Sequence, residues 1–478
     1  MSRIKLSFSL ILSVMLSALN ANAQKIEPDG TTPLHTAVRH SDLQAAQELV
    51  RGGAKVNVST RYGVTPLYLA CENGNAAMID VLLHAGADPN STNPGGETAL
   101  MTASRTGKLD AVKLLVDRGA TVNAKESVRG QTALMWAVLE NHPDVVKFLI
   151  AHGADVDAQT IAVIPDGITG APAEAKSADI GAHGPGIYRA RAVPTPSGAM
   201  TALLFAAREG NLEMARILVD AGANIERASA NGTRPLVAAI VNNHIELAMF
   251  LVERGADVNA TDTFFKRAPL FAAVEMRNLD FAQNTAPPAP DARDPMDLIK
   301  MLLARGANPN AQVNTTPIRG FMQGNASWTN FDGQTAFIRA ALAGDITLMK
   351  LLLQYGADPN KKTFEGSTAL MAAAGVNWVV GQTYSRSDEE YLEAAKLCLE
   401  QGADVNAVNN QGFAAIHGAS NKAFDSMIKL LVEHGAKLDI KDKQGRTAMT
   451  FAEGVFLAAR PPERKPKTIA LLQELEKR

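Results

Sequence analysis

The chain has little cysteine, few aromatic residues and almost no net charge over its 478 residues. Two cysteines, Cys71 and Cys398, are too few to build a disulfide framework. Aromatic residues make up 5% against 46% apolar residues, with Ala and Leu dominant, a balance that suits small closely packed helices better than a β-sandwich. A formal charge of −2 leaves no electrostatic footprint for nucleic acid or an anionic membrane. Catalytic spacings are missing as well. There is no H-E-x-x-H or C-x-x-C run for zinc, no G-x-S-x-G elbow and no phosphate-binding glycine loop. Ser426 to Lys429 fits S-x-x-K, but Lys429 falls in the helix slot that Lys113, Lys147 and Lys350 occupy elsewhere, and the companion motifs are absent. The chain is therefore expected not to be an enzyme, with no cofactor and no metal.

The first residues read differently from the rest. Arg3 and Lys5 precede the apolar run Leu6 to Leu19, and Ala21-Asn22-Ala23 follows as the small-x-small pattern of a cleavable export signal. The run is shorter than the ~20 residues that span a bilayer. Residues 1–23 are expected to be a signal peptide cut between Ala23 and Gln24. Loss of the two cations Arg3 and Lys5 takes the formal charge from −2 to −4. No other segment is apolar enough for stable membrane insertion. The Ala-x-Ala ending points to a bacterial signal and hence to a periplasmic or secreted protein. Six N-x-[ST] sequons, at Asn57, Asn90, Asn231, Asn259, Asn314 and Asn325, would be glycan acceptors only in a eukaryotic pathway.

What the chain has in abundance is itself. A Gly-Ala pair followed by a polar turn recurs from Gly53, Gly86, Gly119 and Gly153 through to Gly402 and Gly435, 33 or 34 residues apart where nothing is inserted. Before each pair lies a helix start such as Thr32-Pro33-Leu34-His35, Thr65-Pro66-Leu67-Tyr68, Thr132-Ala133-Leu134-Met135 or Thr368-Ala369-Leu370-Met371. Thr caps a helix N-terminus, Pro is tolerated at the first helical position, and Gly ends the second helix in the left-handed region. One such hairpin cannot bury its apolar face alone, whereas stacked copies can.

These eleven copies resemble the ankyrin repeat over nearly all of residues 30–478. The resemblance implies an all-α solenoid of paired helices with a β-turn finger at each repeat boundary. It also implies that His35 and His417 make structural hydrogen bonds. Arg234, Ala268 and Ala414 replace the capping Thr, and Lys266 replaces a turn Gly, so those boundaries are expected to be less regular. The two cysteines lie seven repeats apart. At ~8–10 Å per helix layer they are far beyond disulfide reach and are expected to be buried thiols.

Repeats 1–4 occupy residues 24–158, repeats 5–7 residues 198–310 and repeats 8–11 residues 331–478. Gly/Ala/Pro-rich residues 159–197 separate repeats 4 and 5, and residues 311–330 extend the finger between repeats 7 and 8. Shorter insertions fall at 282–295, 376–389 and 460–467. Insertions in repeat arrays go to exposed loops, often on the binding face. Repeat 7, flanked by two of them, is expected to open most readily.

The ankyrin resemblance implies that residues just after the helix-start tetrad face a concave groove. That series holds Trp136, Phe205 and Arg339, and the 159–197 insertion adds Tyr188, Arg189 and Arg191. A second set gathers at the finger turns of repeats 7–9: Phe264, Phe265, Phe321, Trp328, Phe331 and Phe364. Aromatic residues and Arg are frequent anchors of protein interfaces. The function expected is an exported scaffold that binds a partner protein through groove and fingers. The alternatives are a small-molecule or glycan-binding protein, with Trp136, Phe205 and Tyr188 as stacking platform, or a non-catalytic subunit of an exported enzyme.

Overall fold

The computed structural model describes residues 26–165, 195–263, 265–278, 293–314, 332–376, 386–455 and 462–477. Ala23 and Gln24 lie outside these residues, as does most of the insertions at 159–197, 282–295, 311–330 and 376–389. The described helices pair into eleven antiparallel hairpins, beginning with Pro33–Arg39 and Leu43–Arg51 and ending with Ala448–Glu453 and Pro466–Glu476. They divide into two compact units. One holds the hairpins before Ala230 and the other those after Asn231. Within each unit the first helix of a hairpin packs on the first helices of its neighbours, which is the stacking of an ankyrin-type solenoid. Among the described residues no helix is long and apolar enough to cross a membrane.

Local chemistry explains each boundary. Thr98 is the N-cap of Ala99–Thr106, and its hydroxyl accepts from the Met101 N–H at 3.3 Å. The Thr at 32, 65, 132, 201, 335 and 368 does the same for its own helix. Arg234, Ala268 and Ala414 provide no side-chain cap. Lys266 nonetheless keeps the turn, at φ +53° in the left-handed region that its glycine counterparts occupy.

Glycine is required for two different reasons. At Gly86, φ is +88° and a Cβ would meet nothing within 4 Å, so the need is conformational. At Gly63, φ is +72° and a Cβ would lie 2.3 Å from Pro94 Cδ of the next finger, so the need is steric as well.

The cores are aliphatic, with Leu34, Leu67, Leu100, Leu134 and Leu203 each at most 1% exposed on successive first helices of the first unit. Cys71 and Cys398 are free and buried, and burial pushes the Cys398 thiol up to about 12. His35 and His417 do the structural work that the resemblance implied. The Ala414 N–H donates to His417 Nδ1 at 2.9 Å, so the ring proton sits on Nε2, which donates to the Ile440 carbonyl at 3.0 Å. His35 repeats the arrangement with the Thr32 N–H and the Val64 carbonyl.

Neighbouring fingers are tied by a ladder of asparagines. Asn57 Nδ2 donates to the Gly86 carbonyl at 2.9 Å while its Oδ1 accepts from the Asp88 N–H at 2.8 Å. Asn90 bonds to Gly119 and Thr121, and Asn123 to Gly153 and Asp155, in the same way. Asn259, Asn310 and Asn406 repeat it in the second unit. The two finger insertions are rooted by a related device. Gln159 Nε2 donates to the carbonyls of Ala199, across the neck of one insertion, and Ala228. Gln312 Nε2 does the same with Gly333 and Lys362 at the other.

Candidate functional site

The fingers of repeats 3 and 4 leave a cleft of about 280 Å³ between them, lined by Asn93, Gly95, Glu97, Glu126, Val128, Arg129, Gln131 and Trp136. Trp136 reaches it from the helix Ala133–Leu139, capped by Thr132. The other lining residues come from the two finger turns. Glu126 folds its own turn, its carboxylate accepting from the N–H groups of Val128, Arg129 and Gln131 at 2.7–2.9 Å. Glu97 is similarly engaged. It accepts from Thr102 Oγ1 at 3.1 Å, Asn93 Nδ2 at 3.1 Å and Tyr68 Oη at 3.5 Å, and Arg105 Nη2 lies 3.7 Å away. Burial, and then the Glu97 and Glu72 carboxylates, push the Tyr68 hydroxyl above its ordinary range.

With both carboxylates occupied, other groups are left to meet a ligand. Gln131 is 5% exposed and lines the cleft, and its amide atoms are not sealed from water. Covering such a group without giving it a partner is costly. The Trp136 indole N–H is buried without a partner. The Arg105 guanidinium carbon lies 5.7 Å from the Trp136 ring centroid, covering part of that ring. The rim is apolar. Val128 is 71% exposed at the tip of its finger, and Ile161 and Val163 on the next finger are 48% and 58% exposed. The Ile161 N–H donates to the Arg129 carbonyl at 2.7 Å, which fixes these two tips side by side.

The groove series is otherwise mostly closed. Phe205 is 6% exposed, and the Arg208 guanidinium carbon lies 5.2 Å from its ring centroid, so the ring fills the stack instead of facing a partner. Arg339 is 5% exposed and donates to the Asn278 carbonyl at 3.2 Å. It is spent inside its unit. In both cases the position after the tetrad packs against the neighbouring hairpin, whereas Trp136 is half-buried and Thr36 of the first repeat is exposed.

In the second set, Phe364 is 57% exposed and Phe265 is half-buried, with the Arg267 guanidinium carbon 5.5 Å from the Phe265 ring centroid. Tyr188, Arg189, Arg191, Phe264, Phe321, Trp328 and Phe331 lie outside the described residues. Among the described residues no three His, Cys, Asp or Glu side chains gather as a metal site would need. Gln131 escaped the sequence reading because a lone glutamine beside a capping Thr carries no spacing signal.

The chain matches the family model for ankyrin repeats in three copies over residues 8–93, 85–160, 187–262 and 291–380, and the single-repeat model over 365–410. It is 24% identical over 232 residues to alpha-latrocrustotoxin-Lt1a of Latrodectus tredecimguttatus, covering 48% of this chain and 14% of that one. It is 28% identical over 150 residues to the B-cell lymphoma 3 protein homolog of Mus musculus, covering 31% and 26%. With ankyrin repeat and SOCS box protein 16 of Mus musculus the identity is 33% over 113 residues, covering 24% of each. The matches thus span about a quarter or less of these relatives' own length. The solved ankyrin repeat domain of Bcl-3 aligns with a TM-score of 0.41 at 24% identity, covering 57% of this chain and 99% of that one.

Proposed function

The chain belongs to the ankyrin-repeat family, and on that premise we propose that it is an exported scaffold holding a partner protein at the finger face of repeats 3 and 4. Stacked repeats support this reading because they present a pre-organised surface that lowers the ordering cost of binding. The observation that carries it is the Trp136 cleft, where the Gln131 amide lines a slot beside exposed Val128, Ile161 and Val163. Exposed aliphatic tips around a polar slot suit a protein surface that seats one side chain. Export is proposed from Arg3, Lys5, the run Leu6 to Leu19 and Ala21-Asn22-Ala23.

Affinity capture from an envelope extract tests the binding reading, using the exported chain beside a Val128→Glu/Arg129→Glu variant. Both residues are exposed, so the variant is expected to melt with the wild type. One protein captured by the wild type and lost from the variant is the expected result. Capture of the same protein by both moves the site away from this cleft, and no protein captured by either overturns the scaffold reading. N-terminal sequencing of the chain recovered from a bacterial periplasm should begin at Gln24. A chain retained in the cytoplasm with Met1 intact defeats the export proposal.

A further inference from the structure

We infer that the Trp136 cleft reads a neutral amide, the side chain of an asparagine or glutamine on an extended segment of the partner; this rests on the binding reading above. The lining decides the chemistry by exclusion and by complementarity. An incoming acid would meet Glu97 and Glu126, two carboxylates already in place. An incoming cation would find both carboxylates already engaged, Glu126 by three N–H groups and Glu97 by Thr102, Asn93 and Arg105, with Arg129 beside them and Arg105 over part of the Trp136 ring. An aliphatic side chain would displace water from the Gln131 amide and give it no partner in return.

A primary amide answers Gln131 on both counts. Gln131 offers one carbonyl and one NH2, and a second amide can accept from the one while donating to the other. The indole N–H has almost no solvent-accessible surface, so Gln131 carries the recognition and the Trp136 ring forms the floor against which the amide stacks.

The test uses the exported chain carrying 5-fluorotryptophan and fluorine NMR, with the Trp136 resonance assigned by its loss in Trp136→Phe. The probes are N-acetylglutamine N-methylamide and its glutamate, lysine and leucine counterparts, each titrated to its solubility limit. The glutamine probe is expected to shift the Trp136 resonance saturably, with half-saturation about tenfold lower than for any other probe. Gln131→Leu should abolish that shift while leaving the probe-free resonance in place. If that variant does not fold, the isosteric Gln131→Glu, which cannot donate when ionised, should weaken the glutamine probe about tenfold.

No shift with the glutamine probe, or an equal response to glutamate or lysine, overturns the inference. A captured partner together with an unmoved resonance means that the partner docks without this contact, and the amide inference falls alone. A shifted resonance with no captured protein keeps the amide site and removes the partner reading.

Discussion

The Asp157 carboxylate accepts a hydrogen bond from the Asn224 N–H at 2.9 Å, at the rung of the finger ladder where Asn57, Asn90 and Asn123 stand in the preceding fingers. Each of those asparagines also donates its NH2 to the carbonyl of a Gly-Ala pair. A carboxylate has no hydrogen to give, so this rung is half made. Asp157→Asn is expected to supply the donor and raise stability by about 0.5–1.5 kcal/mol. Thermal unfolding of the two chains side by side decides it. An unchanged or lower melting temperature would show that the ladder's second bond adds nothing at this step.

His35 and His417 predict acid sensitivity. Burial is the largest influence on both and holds their pKa below the ordinary imidazole value, so the folded chain prefers them neutral. Each Nδ1 accepts from a backbone N–H, and protonation would set two donors against each other. Both therefore contribute stability that is complete above about pH 6.5 and is lost as pH falls below it, because the unfolded chain binds protons that the folded chain refuses. The melting temperature is expected to drop between neutral pH and pH ~5. The drop should be smaller in the His35→Gln/His417→Gln chain, which is less stable at neutral pH. Equal drops in both chains would assign the acid effect to other groups.

Lys266 gives a third prediction. It holds φ at +53°, a conformation that costs a residue with a Cβ roughly 1–2 kcal/mol and costs glycine nothing in strain. Lys266→Gly is expected to stabilise the second unit by about 1 kcal/mol, less the extra chain entropy that glycine loses on folding. Denaturant titration of the paired chains reads the difference. Destabilisation instead would mean that the lysine side chain makes a contribution larger than the strain.

The repeat register, the capping threonines, the left-handed glycines and the roles of His35 and His417 were legible because each recurs at a fixed spacing or sits in a motif with one physical task. Exposure was not legible. Trp136 and Phe205 hold the same register position in consecutive repeats, yet one ring is half-exposed and the other buried, because packing against the neighbouring hairpin sets the depth at which each ring ends. The ladder was visible in part. Asn57, Asn90 and Asn259 stand out as sequons, but their amide nitrogens already donate across repeats. Gln131 shows in neither composition nor period, since what singles it out is its place in the cleft wall.

Asp345 bears on the expectation that repeat 7 opens first. It is 2% exposed, and its Oδ2 lies 2.9 Å from Arg277 Nε of repeat 7 and 3.0 Å from Arg386 Nη2 of repeat 9. Its Oδ1 also accepts from the Leu348 N–H at 3.2 Å, capping the second helix of repeat 8. Arg386 reaches on to Asn278 Oδ1 at 3.1 Å, and Arg339 donates to the Asn278 carbonyl. One carboxylate thus links three repeats, and the link runs through the segment where insertions interrupt the period. Arg277 also pairs with Asp294 at 3.0 Å, and Arg386 lies 3.8 Å from Glu390, so neither arginine is stranded when Asp345 is removed. Asp345→Ala is therefore expected to lose about 2–3 kcal/mol, below the full cost of breaking an isolated buried pair, and to speed amide exchange together across repeats 7, 8 and 9. Asp345→Asn, which keeps an acceptor for the helix cap, should lose less. Because the group is buried, the deficit should persist at high salt. A loss under about 1 kcal/mol, or faster exchange confined to repeat 8, would show that the arginines find other partners and that the network does not bind these repeats into one cooperative block.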